Sequence, residues 1–228
     1  MSPVVAVIAA ASVTTMVLYW VCSRLFFSRS GAETMAGAAA ASYYKSVNIG
    51  LPIATYVIGD ANYAIPALVL QMAVLSPFII ARLNAQGTSL RSIWRSVVSG
   101  VTAPVVLAAV AGFIVSAAGW QMPDVAMQPL EILGGASIPM ILMSFGASLK
   151  GDALLLEDRL PTITATVLKL VGMPAIALVV GAALGLGGTE LYAALILAAL
   201  PTAQNVYNYA ATYEVGETVA RDTVFLTT

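Results

Sequence analysis

Histidine is absent from the 228 residues, cysteine occurs once, and charged side chains make up only 9% of the chain. Without histidine there is no His-ligated zinc and no Ser–His or Cys–His nucleophile pair. The single cysteine, Cys22, allows neither an internal disulfide nor a thiolate metal site. Soluble domains carry roughly 25% charged residues, so the polar surface here is too small to cover a water-soluble globule. An ordinary soluble enzyme is excluded, and no cofactor is expected. Ten Lys and Arg against eleven Asp and Glu leave a net charge of −1, which excludes a nucleic-acid surface built on bulk positive charge.

Apolar length is what the chain has, with 60% hydrophobic residues and a mean hydropathy of +0.91. A membrane-crossing helix needs ~20 mostly apolar residues, and charges within it are costly. Charge-poor windows fall at 3–22, 42–59, 61–81, within 96–120, and at 132–149, 160–184 and 191–213. Only Lys45 and Lys169 interrupt them. The windows are long and do not alternate apolar with polar, so they predict seven helices and not a barrel. The reading is an all-α polytopic membrane protein. No basic residue precedes the first window, which argues against a cleaved signal peptide.

Basic residues gather in alternate connections. Arg24 and Arg29 follow the first span; Arg82, Arg91 and Arg95 the third; Lys150 and Arg159 the fifth; Arg221 the seventh. The intervening connections, around Asp60, Asp124 and 187–190, have no Lys or Arg. By the positive-inside rule the basic set is cytoplasmic, in a plasma (cell inner) membrane, with the amino terminus outside.

Proline recurs in the spans, and a single proline is ordinarily a tolerated kink, as expected for Pro77, Pro104 and Pro174. Two sites differ because carboxamides gather beside the proline: Lys45-Ser46-Val47-Asn48-Ile49-Gly50-Leu51-Pro52, and Leu200-Pro201-Thr202-Ala203-Gln204-Asn205-Val206-Tyr207-Asn208. Amides at membrane depth carry a desolvation cost unless they line a cavity or coordinate something. Proline suits the first turn of a new helix. Half-helices starting at Pro52 and Pro201 would aim free N–H groups and partial positive charge at the bilayer centre, a transporter feature. The two broken spans run in opposite directions and lie five spans apart. That spacing predicts a ten-helix, five-plus-five inverted repeat. Residues 1–83 would end the first repeat with three helices, including broken helix 42–59. A cytoplasmic connection would occupy 84–95. The second repeat would fill 96–228, including broken helix 191–213, with its final helix missing. On this expectation two further helices precede Met1, and the 228 residues alone do not transport.

Those residues resemble the auxin efflux carrier family, including its bacterial malonate or malate permeases. Ala199-Leu200-Pro201-Thr202-Ala203-Gln204-Asn205, with residues 220–228, is similar to the family's ninth helix and the start of its tenth. Asn48 to Ala54 followed by Gly59-Asp60 resembles the fourth. Ser137-Ile138-Pro139-Met140 through Gly146-Ala147-Ser148-Leu149 resembles the seventh, and Lys169 with Pro174 the eighth. Lys45 departs from the pattern, standing where members often carry a second asparagine. The resemblance implies a scaffold part, a mobile part with two crossed broken helices, and elevator-like carriage of small organic anions.

The substrate-binding candidates are therefore Asn48, Pro52, Pro201, Gln204 and Asn205. The alternative for the carboxamides is interhelix hydrogen bonding, on the order of ~1 kcal/mol each. Lys169, Asn208 and Lys45 could serve the site or brace the crossing. Lys169 lies about 13 Å into its span, where an unpaired charge costs roughly 3 kcal/mol. It could attract an anion or donate to exposed carbonyls of the broken helices. Lys45 is expected to snorkel to the cytoplasmic edge. Tyr43, Tyr44, Trp20, Trp94 and Trp120 are read as interfacial belts, and Ser144, Ser148, Gly134 and Gly135 as packing positions. Asp152, Glu157 and Asp158 are read as a solvated turn. The expected partners are a small organic anion and the lipid bilayer, with a homodimer compatible. A passive channel or non-transporting membrane subunit is the competing reading.

Overall fold

The computed structural model describes residues 3–84, 98, 102, 104–120, 122–148, 155 and 157–228. Arg91, Arg95, Trp94, Lys150 and Asp152, and nearly all of the expected 84–95 connection, lie outside them. The described residues form helices throughout, in the order α1 (Pro3–Phe26), α2 (Gly31–Ser42), α3 (Ser46–Ile58), α4 (Ala61–Leu83), α5 (Pro104–Ala117), α6 (Asp124–Ser148), α7 (Arg159–Ala183), α8 (Gly188–Ala199), α9 (Asn205–Tyr213) and α10 (Glu217–Thr227). Among them α1, α4 and α7 are each long and apolar enough to cross a bilayer. The 24 residues of α1 reach about 36 Å at 1.5 Å per residue, against a hydrocarbon core of ~30 Å.

The first broken span differs from its sequence expectation. It begins at Gly31, not near residue 42, and its interruption is at 43–45, not at Pro52. The capping box of Ser30 and Glu33 starts α2: the Ser30 hydroxyl accepts from the Glu33 N–H, and the Glu33 carboxylate accepts from the Ser30 N–H. Every residue from Thr34 to Ser42 is buried. α2 is walled by α1, α4, α7 and α10, and apart from Glu33 and Met35 it is made of Ala, Gly, Ser and Thr, so it does not look like a lipid-facing helix. At Gly37 the fit is tightest: an added Cβ would overlap the Tyr19 ring of α1.

Pro52, Pro77 and Pro174 share one local solution. Each follows a five-residue turn of wider π geometry: 46–50, 71–75 and 168–172. In each, the residue before the proline donates its N–H back to the first carbonyl of that turn: Leu51 to Ser46, Ser76 to Gln71, Met173 to Leu168. The proline's missing donor and ring bulk are thereby absorbed without breaking the helix. That is why Pro52 sits inside α3, exposed, and does not start it.

The buried apolar residues fall into two main clusters. One packs Tyr19, Met35, Tyr43, Ile79 and Val206 around the alanines of α2. The other packs Val4, Ile8, Tyr44, Met173 and Leu197 around α8. α5 approaches α4 at 71–75, and the described side chains of α5 and α6 are almost all exposed. α6 starts at Asp124, earlier than the expected 132, and carries Pro129 and Pro139 within it. The expected tail after the seventh span is instead the helix α10, which buries Val219 to Val224 against α2 and α7.

Candidate functional site: the crossing of two broken helices

The second broken span is α8, an interruption at 200–204, and α9. The residue before a proline is driven out of helical geometry, and Leu200 is extended at φ −57°, ψ 143°. The chain remains extended through Thr202, so α9 begins only at Asn205 and Pro201 does not open it. The two interruptions cross as a one-pair antiparallel bridge between Tyr44 and Thr202. The Lys45 N–H donates to the Pro201 carbonyl at 2.9 Å, and the Ala203 N–H to the Tyr43 carbonyl at 3.2 Å.

Extended backbone turns successive side chains to opposite faces, which places Tyr43 in one apolar cluster and Tyr44 in the other. Both tyrosines are buried, so neither belongs to an interfacial belt. Their rings anchor the crossing. The Tyr43 hydroxyl lies 2.7 Å from Ser76 Oγ, and its ring meets Tyr209 edge-on at 6.3 Å. Trp20 and Trp120 are exposed, with Arg24 over the Trp20 ring at 5.4 Å.

The carbonyls that end the first half-helices lack intrahelical donors, and side chains supply them. Lys169, fully buried, donates from Nζ to the Ala198 carbonyl at 3.3 Å and lies 5.4 Å from the Tyr44 ring centre. Thr202 Oγ1 donates to the Ala40 carbonyl at 2.8 Å. The Thr202 N–H in turn donates to Thr227 Oγ1 of α10 at 3.1 Å.

Beside the crossing opens a cleft of about 360 Å³. It is lined by Lys45, Asn48, Gln71, Gln204, Asn205 and Asn208, with Tyr43, Tyr44 and Tyr209 among its walls. Asn48, Gln204, Asn205, Asn208 and Lys45 are thus brought together, whereas Pro52, Pro201 and Lys169 do not line it. Lys45 does not reach for an edge: it is 6% exposed and donates from Nζ to Thr228 Oγ1 at 3.0 Å. No carboxylate lines the cleft, and none pairs with Lys45 among the described residues. Gln71 was missed in the sequence because it is one amide in an otherwise apolar span. The available signal was its place just ahead of Ser76-Pro77, where the π turn widens α4.

At one end of the bundle, charges that look like a loose turn in the sequence are paired. Asp158 takes a two-pronged ion pair from Arg29, which also lies 3.5 Å from Glu33. The hydrogen bonds to Asp158 push the Arg29 guanidinium further above its ordinary range. The buried Asp222 carboxylate accepts from Arg221 Nε at 2.9 Å and from the Leu155 N–H at 2.9 Å. The connections after α1 and before α7 therefore share one end of the molecule with α10.

Apolar helices of membrane-crossing length, with two interrupted helices crossing beside a polar cleft, define a polytopic membrane transport protein. A family model described as "Membrane transport protein" matches residues 84–228, taking in α5 to α10. The chain belongs to that family, the auxin efflux carriers. No curated protein sequence matches the chain.

Proposed function

We propose that this protein is a secondary carrier of small organic anions such as carboxylates, and that the cleft beside the Tyr44–Thr202 bridge is its substrate site. One observation carries the reading. The carboxamides of Asn48, Gln204, Asn205 and Asn208 converge on the cleft and make no side-chain hydrogen bond to other described residues. Interhelix bracing would leave them paired. A cleft that instead holds free amide donors around one ammonium, with no carboxylate, favours a ligand of negative charge. α9 starts at Asn205 in the cleft wall, so the partial positive charge of its N-terminal end adds to this preference.

The alternation is elevator-like, with the crossed broken helices in the mobile part and α5 and α6 in the scaffold. The two crossed spans belong to inverted five-helix repeats of a ten-helix architecture. The opposite run of two interrupted spans, five apart, supports that arrangement. The end bearing Arg29 and Arg159 faces the cytoplasm of a plasma-membrane protein whose amino terminus is outside.

Counterflow of radiolabelled mono- and dicarboxylates in liposomes containing the transporter tests the reading. Saturable exchange of an anion is expected. Ohmic, unsaturable flux would make the cleft a pore and the channel reading correct.

A further inference from the structure

Gln71 is 1% exposed, and its Nε2 donates to the Tyr44 carbonyl at 2.8 Å. Its Oε1 has no partner although it is buried, and the residue lines the crossover cleft. The amide cannot be turned the other way, because the Tyr44 carbonyl only accepts and would then face an oxygen. Nor do the nearby hydroxyls serve it. Ser76 Oγ donates to the Gln71 main-chain carbonyl at 3.2 Å, and the Tyr43 and Tyr209 hydroxyls both turn to Ser76. Lys45 Nζ, the cation of the cleft, is held by Thr228.

An acceptor held by its own amide's hydrogen bond, desolvated and unpaired, is a place where a ligand donor gains what the protein has left unmade. The donor is not an ammonium group, which would bring a second positive charge beside Lys45. It is a neutral hydroxyl. Building on the anion reading above, we infer that Gln71 Oε1 makes the cleft selective for hydroxycarboxylates over carboxylates of the same skeleton. The carboxylate meets Lys45 and the carboxamides, and the hydroxyl donates to Gln71. Gln71 is thus a specificity-determining residue on α4, outside both broken helices.

Matched pairs test this by equilibrium binding to the purified protein in lipid nanodiscs: lactate against propionate, glycolate against acetate, and the neutral pair lactamide against propionamide. The hydroxylated anions are expected to bind about tenfold tighter or more, since a site built to bond a hydroxyl rejects the analogue lacking it. Gln71→Met should collapse that ratio towards one, whatever the substitution does to propionate affinity itself. The ratio is taken within each variant, so a smaller folded fraction does not affect it. Equal binding within the wild-type pairs, as when a water already satisfies Oε1, overturns the inference; so does a Gln71→Met protein that keeps the preference. Lactamide binding as tightly as lactate would instead remove the anion reading and leave the hydroxyl selection standing.

Discussion

Lys169 on α7 and Ala198 at the end of α8 are joined by a hydrogen bond of 3.3 Å from ammonium to carbonyl. The lysine that looks deepest and most isolated in the sequence thus satisfies the C-terminal end of a half-helix, where partial negative charge collects. Its position over the Tyr44 ring ties the same cation to the other broken span. Lys169→Met should therefore cost stability, about 1–3 kcal/mol for a charge-assisted bond lost from a buried carbonyl. Thermal unfolding in detergent reads the loss, and anion affinity per folded molecule should be unchanged. Weaker binding with stability kept or raised would show that Lys169 serves the anion from a distance.

Asn48→Ala and Asn205→Ala test the cleft itself. Their carboxamides make no side-chain hydrogen bond to other described residues, so folded yield and unfolding midpoint should stay near wild type. Ligand affinity should fall at least tenfold, the effect of one or two hydrogen bonds to a charged group. Two unstable variants that bind normally when folded would return both residues to a packing role.

The spans that face lipid were legible because lipid selects long apolar windows: α1, α4 and α7 match theirs to within a few residues. α2 was not legible as a span for the converse reason. Its environment is protein on every side, so it uses small residues and carries Glu33 in its first turn. The two interruptions are legible from the amides beside each proline, and their crossing only from the family resemblance; the prolines do not mark where the helices break. In the sequence each proline reads as the start of a half-helix, whereas π turns absorb Pro52 and extended pairing places Pro201 ahead of α9. Which amides converge was readable along each span. That Gln71 of a third span joins them depends on tertiary packing, as does the pairing of Arg29 with Asp158.

Gly37→Ala measures how closely α2 packs. A single methyl there overlaps the Tyr19 ring, which is buried and has little room to move. Overpacking of this kind costs about 1–3 kcal/mol. Gly37→Ala should lower the unfolding midpoint, and pairing it with Tyr19→Leu should recover part of the loss. Equal stability of wild type and Gly37→Ala would mean that α1 and α2 are further apart than described.

The membrane orientation rests on basic residues that share one end of the bundle. Asp124 and Glu157 are both exposed, and α6 lies between them. Single cysteines at these two positions, in a Cys22→Ser background, should react with impermeant maleimide from opposite sides, Glu157 from the cytoplasm. Labelling of both from one side would remove the inverted arrangement of the broken spans together with the orientation.

Thr202 concentrates the crossing in one residue. Its side chain caps the Ala40 carbonyl of α2, its N–H reaches Thr227 of α10, and its backbone pairs with Tyr44. Ala40 lies in the last turn of α2, where carbonyls lack donors of their own. Thr202→Val keeps the shape and the two backbone roles but removes the hydroxyl, leaving that carbonyl buried without this donor. The cost should be about 1–3 kcal/mol, read as a lower unfolding midpoint. Thr202→Ser should restore most of it, because the hydroxyl returns and only a methyl is lost. Affinity per folded molecule should not change, since Thr202 does not line the cleft. This separates a residue that holds the crossing from those that face the substrate. If Thr202→Val instead weakens binding while stability is kept, the hydroxyl belongs to the site, and the Ala40 carbonyl must be satisfied by another donor.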